Sequence, residues 1–217
     1  MKTVCVRARR ETVCRILLGC RLTEIGRLVR RNTGAVRALV VSDRKVFRLY
    51  GKTLLSSLEQ AGMQVSFLTV HPGEASKTLS SAETICRTCS QRGLERSDII
   101  VALGGGVVSD LAGFAASVYL RGVGFVCVPT SLLAQVDASV GGKTAVDVEW
   151  AKNIIGSFHQ PRLVLMDFSA LATLPPREMR QGLAEVVKYG MIGDRALFGM
   201  LEKVSLSEIL TGRRLAG

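Results

Sequence analysis

Short apolar runs recur along the chain, separated by longer stretches of mixed character. The runs are ALVVS (38–42), VSFLTV (65–70), IIVAL (99–103), GFVCV (124–128) and LVLM (163–166). They are nearly continuous rather than alternating, as strands covered on both faces read. Between them, residues 45–61, 76–92 and 108–119 place apolar side chains at helical spacing. Strand and helix taking turns in this way predict an α/β fold. Its expected form is a doubly wound, mostly parallel, Rossmann-like sheet with right-handed crossovers. The first twenty residues alternate and are expected to form an antiparallel pair or edge ribbon. After Pro175-Pro176 the pattern becomes helix only, beginning with REMRQGLAEVVKYG. That change sets an expected domain boundary near residue 170, with a helical segment over 171–217 beyond it.

With 217 residues, 47% of them apolar and 22% charged, the chain can bury a sizeable core. No apolar run is long enough for a membrane span. The opening MKTVCVRARRETVC has no apolar core of a secretory signal, so the expected location is the cytoplasm. A net charge of +11 raises nucleic acid as a partner. The arginines are scattered, however, and aromatic residues make up only 5%, so no stacking platform is visible. The charge is better suited to drawing in small anions. Neither nucleic acid nor membrane is an expected partner.

Six cysteines stand at 5, 14, 20, 86, 89 and 127. Cys86 and Cys89 form a C-x-x-C inside a helical pattern, without a second pair or a nearby histidine. Free thiols are therefore expected, not a zinc ribbon.

Two polar constellations follow strand ends. In DIIVALGGGVVSDLAGFAAS, a buried strand runs into Gly104-Gly105-Gly106 and a helix starts at once. Three glycines let a backbone approach a bulky ligand, and free N–H groups at a helix start attract phosphate oxygens. Asp110 lies about one turn further on. The pattern is neither G-x-G-x-x-G nor a Walker loop. The next strand ends in Pro129-Thr130-Ser131 and leads to Asp137, Gly141-Gly142-Lys143-Thr144 and Lys152-Asn153. Carboxyl ends of strands are where open α/β sheets bind ligands, and lysines there suit phosphate or carboxylate. Further along, GLAEVVKYG puts Glu185 and Lys188 one helical turn apart on one face. They form either a salt bridge or a metal ligand beside a catalytic cation.

These motifs, in this order over residues 37–200, resemble 3-dehydroquinate synthase, the NAD- and metal-dependent cyclase of the shikimate pathway. The likeness is densest in GGGVVSDLAGFAAS, RGVGFVCVPTSLLAQVDASVGGKTAV, KNIIGSFHQP and LATLPPREMRQGLAEVVKYG. It implies that residues 1–170 bind NAD and that 171–217 begin a metal- and substrate-binding domain. Asp43 would take a ribose hydroxyl, and Glu74 and Lys77 the adenosine side. Gly105, Gly106, Val107, Val108, Ser109 and Asp110 would cradle the pyrophosphate and nicotinamide. Thr130, Ser131, Lys143, Lys152 and Thr173 would complete the cofactor site. Asp137, Lys143, Asn153 and Lys188 would face an anionic sugar-phosphate substrate. Arg121 would reach a phosphate across a homodimer interface, and Glu185 would bind zinc or cobalt. The implied reaction turns 3-deoxy-D-arabino-heptulosonate 7-phosphate into 3-dehydroquinate and phosphate, with NAD recycled.

The family pattern has Asp, Gly, Asn and Gly where this chain has Pro72, Ser109, Asp147 and Ala151. The family also continues well past this length and supplies two further zinc-binding histidines. His71 and His159 match neither. A truncated chain that binds NAD without catalysis is thus the second expectation, with other sugar phosphate cyclases a third. Metal-dependent polyol dehydrogenases lack the GGKTAV…KN block.

Overall fold

Each of the five apolar runs forms a strand; in four of them successive side chains enter two different cores, while VSFLTV lies at the sheet edge with Phe67 exposed. A computed structural model describes residues 13–203. Along the chain come β1 (Arg15–Leu18), α1 (Ile25–Thr33), β2 (Arg37–Asp43), α2 (Arg44–Val46), α3 (Lys52–Gln60), β3 (Gln64–Val70) and α4 (Leu79–Gln91). Then follow β4 (Ile99–Gly104), α5 (Gly106–Val118), β5 (Gly124–Pro129), β6 (Lys143–Val148), β7 (Ala151–Phe158), β8 (Leu163–Met166), α6 (Pro176–Ile192) and α7 (Arg195–Leu201). Six strands make one sheet in the order β1-β8-β5-β4-β2-β3, with every pair parallel.

In β4, Ile100 and Ala102 join one core while Ile99, Val101 and Leu103 join the other; β2, β5 and β8 divide in the same way. The first core is closed by Ile85 of α4 and by Leu111, Ala112 and Ala115 of α5. The second is closed by Ile25 and Val29 of α1 and by Leu54 and Leu58 of α3. Helices on both faces of a parallel sheet are the doubly wound plan. A strand with no solvent face has no reason to alternate, which is why the runs read as continuous.

Three regions differ from expectation. Arg15–Leu18 is no part of an antiparallel ribbon: it runs parallel to β8, with Arg15 opposite Leu163. The Arg15 amide donates to the Arg162 carbonyl (3.2 Å) and the Cys20 amide to that of Met166 (3.1 Å), which carries the chain along the β8 edge. The rest of the expected ribbon, residues 1–12, lies outside the described residues. Helix α1, an arginine-rich amphipathic segment ended by Gly34 at φ 69°, went unread. So did the antiparallel hairpin β6–β7, which holds the Lys143-Thr144 and Lys152-Asn153 positions and to which no element was assigned. Its strands carry Lys, Thr, Asp, Asn and Gly, so little in the local pattern announces them.

The expected helix at 45–61 is present from Arg44 to Gln60, with a π-helical stretch, Phe47–Gly51, between α2 and α3. No helix among the described residues is long and apolar enough to cross a membrane. The C-x-x-C pair sits on α4 as two free thiols. Burial pushes the Cys89 thiol up to about 12, and also raises Cys127. Thiolate is the reactive form, so native labelling with iodoacetamide at pH 8 should spare both residues. Unfolding in guanidinium should expose them. Native labelling of Cys89 at the rate of a free thiol would contradict this burial.

Candidate functional site

The chain moves outward from β2 to β3, then crosses back to place β4 on the other side of β2. Such a reversal opens a crevice at the carboxyl ends of the two strands. There the Ser42 hydroxyl donates to the Leu103 carbonyl at 2.7 Å and locks the strand ends together. The Asp43 carboxylate accepts the amides of Lys45 (2.8 Å) and Val46 (3.0 Å), capping the helix that follows. The glycine turn lies directly opposite.

Gly105 is the extended residue before α5, and no side chain caps that helix start. Its first amides therefore face the crevice without a protein acceptor from a cap, as an anion site requires. The Thr130 amide donates to the Gly104 carbonyl at 3.0 Å, bringing β5's end alongside. A Cβ on Gly105 would lie 3.3 Å from the Ser131 hydroxyl, and one on Gly106 3.3 Å from Ala138. The missing side chains thus leave a cradle over the helix start, and these residues fit a dinucleotide pyrophosphate. Val108 and Ser109 are buried, and the Ser109 amide donates to the Gly105 carbonyl at 3.1 Å, so of the two only the Val108 amide is left for a ligand. Val107 is half-buried.

The hairpin packs its inner face, Thr144 and Val146, against the protein, with Val146 in the first core. Its tip is tied to the loop before α4. The Asp147 amide donates to the Lys77 carbonyl (2.7 Å), and the Asn153 amide to the Asp147 carboxylate (2.7 Å). The buried Lys77 ammonium donates to Asp110 Oδ2 at 2.5 Å and also to Asn153 Oδ1. Burial raises the Asp110 carboxyl above the usual range; the Lys77 hydrogen bond and charge work the other way, and Glu74 and Asp147 add to the rise. Lys152 is exposed, 3.8 Å from Glu74. Lys143 is exposed at the hairpin's start, in register with Phe158.

Helix α6 brings the last group. Gly182 seats it against Leu132 and Leu133. One turn on, the Lys188 ammonium donates to Glu185, which raises its pKa, and sits 4.9 Å from the centre of the Tyr189 ring. The Tyr189 hydroxyl donates to Asp137 Oδ1 at 3.3 Å. Tyr189 was not singled out from the sequence, yet it joins the α6 pair to the Asp137 segment. Its only signal was its place beside Lys188. Thr173 shares a hydrogen bond with the Tyr50 hydroxyl, which also donates to the Ala170 carbonyl (3.0 Å).

Arg121 is not brought into this crevice. It follows α5, a helix of thirteen residues that begins at the glycine turn, so about 20 Å of helix separates the two ends. Arg121 and Leu120 hold left-handed backbones, φ 63° and 49°. Among the described residues, no three His, Cys, Asp or Glu side chains converge as metal ligands. His159 Nε2 contacts the Val123 carbonyl at 2.9 Å, and His71 lines a cleft between β3 and α4. Catalytic zinc usually takes three protein ligands. Glu185 by itself does not fit that requirement.

The family model for the 3-dehydroquinate synthase N-terminal region matches residues 67–181, which hold the glycine turn, the hairpin and the first part of α6. The chain belongs to the 3-dehydroquinate synthase family. The 3-dehydroquinate synthase of Symbiobacterium thermophilum is 50% identical over 192 residues, 88% of this chain and 53% of that protein. That of Caulobacter vibrioides is 55% identical over 166 residues, 76% and 45% of the two chains. The chain thus spans about half the length of the curated relatives it matches. Among solved structures, 2-epi-5-epi-valiolone synthase from Streptomyces hygroscopicus subsp. jinggangensis 5008, with NAD+ and Zn2+ bound, superposes with a TM-score of 0.88. It is 31% identical, and the match covers 97% of this chain and 58% of that one. A 2-deoxy-scyllo-inosose synthase complexed with carbaglucose-6-phosphate, NAD+ and Co2+ gives 0.77 at 29% identity, covering 85% and 50%. Family membership accounts for the spacing of the 3-dehydroquinate synthase motifs; the contacts among their side chains come from the fold.

Proposed function

We propose that this chain carries the NAD-binding part of a 3-dehydroquinate synthase, residues 1–170, and the start of its metal- and substrate-binding part, 171–217. The reaction is conversion of 3-deoxy-D-arabino-heptulosonate 7-phosphate to 3-dehydroquinate and phosphate in the cytoplasm, the compartment in which free thiols such as Cys20 and Cys89 persist. The observation that carries this reading is the uncapped start of α5, facing Asp43 across the switch of the sheet and flanked by Thr130 and Ser131.

Bound NAD would take a hydride from a ring alcohol and later return it. The amides of Gly105 to Val108 hold the pyrophosphate end, with Ser109 and Asp110 in the turn behind them, Thr130, Ser131 and Thr173 flank it, and Asp43 takes a ribose hydroxyl. Glu74, with Lys152 beside it, lies toward the adenosine side, where Lys77 completes the loop. Lys143, Lys188 and Asn153 orient a substrate bearing both phosphate and carboxylate, groups that ammonium donors bind strongly. Asp137, held by Tyr189, accepts a substrate hydroxyl. Arg121 belongs to the phosphate site of a second copy in a homodimer. Glu185 is one ligand of a divalent metal, zinc or cobalt; the described residues do not complete that site, and no step is assigned to it.

Calorimetry on the purified chain should show NAD binding with a Kd of roughly 10 μM to 1 mM, about −7 to −4 kcal/mol. Metal analysis after dialysis should show well under one equivalent of zinc. No heat up to millimolar NAD would reject the nucleotide site, and a tightly held equivalent of zinc would reject the account of Glu185. NAD-dependent phosphate release from the sugar phosphate, measured on the protein from its native source, tests the reaction. NAD binding without phosphate release would favour the non-catalytic reading instead.

A further inference from the structure

The hairpin β6–β7 carries Lys143, Lys152 and Asn153, yet it is a sheet of only two strands. Its outer face bears Ile154 and Phe158, 60% and 83% exposed. Two-stranded hairpins are marginal by themselves in water, so its position depends on what ties it down. Two ties are packing of its inner face and the backbone hydrogen bond from the Asp147 amide to the Lys77 carbonyl. The third runs through a single side chain, Lys77, whose ammonium donates to Asp110 of α5 and to Asn153 of the hairpin. That side chain is 4% exposed.

A buried ammonium costs several kcal/mol unless its donors find acceptors. Here the two acceptors come from different elements, so the charge is satisfied only when α5 and the hairpin are both in place. Asn153 adds to the constraint: it holds φ 56°, a left-handed backbone, with its amide fixed by Asp147. Asp110 lies in the second turn of α5, whose start is the glycine turn. A ligand that fixes this start also fixes Asp110, then Lys77, and through it Asn153.

We propose that Lys77 is a positioning residue that couples the two halves of the site, so that a dinucleotide on the glycine turn orders the hairpin that meets the substrate. The coupling rests on the NAD reading above; the tie between Lys77 and the hairpin does not. Coupling of this kind is reciprocal, so an ordered hairpin also favours nucleotide binding.

The test is amide hydrogen exchange over residues 143–158 in the wild type, Lys77→Met and Asn153→Ala, with and without saturating NAD. Both variants should exchange faster than wild type in the absence of NAD, by about tenfold or more, the scale of one lost hydrogen bond to a charged group. NAD should slow exchange of the hairpin in the wild type and leave it unchanged in the variants. Asn153→Ala keeps the Lys77–Asp110 pair, so it carries the test if Lys77→Met does not fold. It should bind NAD within about threefold of wild type. Hairpin exchange that matches wild type in Asn153→Ala overturns the tie, and NAD protection that survives in the variants overturns the coupling. A wild type that binds no NAD removes the nucleotide reading, and the exchange rates without NAD then judge the tie alone.

Discussion

Replacing Gly105 with valine should weaken NAD binding about 100-fold or more, about 2.7 kcal/mol, while changing Tm by only a few degrees. The two halves of this expectation have separate causes. Gly105 is extended, φ −80° and ψ −171°, a backbone that valine adopts without strain. A Cβ there meets only the Ser131 hydroxyl at 3.3 Å, a side chain that can turn aside. Folding therefore does not need this glycine. What the valine methyls fill is the space above the uncapped start of α5, where a phosphate would meet backbone N–H groups. Gly104 next to it behaves differently. A Cβ there would lie 2.8 Å from the Val108 side chain, inside the core, so its substitution costs stability. Calorimetry and thermal melts on Gly105→Val check the claim, and an unchanged NAD Kd would remove the glycine turn from the cofactor site.

The second large effect concerns how α6 docks. A Cβ on Gly182 would stand 2.6 Å from Leu132 Cβ and 2.7 Å from the Leu133 amide nitrogen. The first could shift slightly, but the second is backbone at the head of the segment that leads to Asp137. Overpacking of this kind costs about 1–3 kcal/mol, so Gly182→Ala should lower Tm by roughly 3–10 °C for a chain of this size. The helix would move outward and carry Glu185, Lys188 and Tyr189 with it. The Tyr189–Asp137 hydrogen bond should be lost, and with it the upward shift of the Tyr189 phenol, which arises from burial first and Asp137 second. Ultraviolet titration of tyrosine would then show that phenol ionising at lower pH. NAD binding should remain within about threefold, because the glycine turn lies on another element. A Tm equal to wild type would mean that α6 is not seated through Gly182.

Glu185 and Lys188 are paired, partly exposed to solvent, and next to Tyr189. An exposed i, i+3 pair contributes little to stability. Its worth lies in where it points, toward Asp137 and the crevice side of α6.

Local composition encodes the parts of this protein that are legible along the chain. Four of the five strands were readable because each is buried on both faces and so lost its alternation; the edge strand β3 kept an apolar run although Phe67 is half exposed. The glycine turn was readable because three glycines at a strand end have few other uses, and the family because long motifs keep their order. Even Glu185 beside Lys188 follows from helical spacing. The hairpin was not readable, since its stability comes from α5 beneath it and not from its own residues. Neither was the parallel placement of Arg15–Leu18, which depends on an edge formed about 150 residues later in the chain. The burial of Lys77 between Asp110 and Asn153 joins residues 33 and 76 positions apart. Only the folded sheet, by reversing direction between β2 and β4, could bring those three together, because no one-dimensional pattern carries the desolvation that makes a lysine choose two partners.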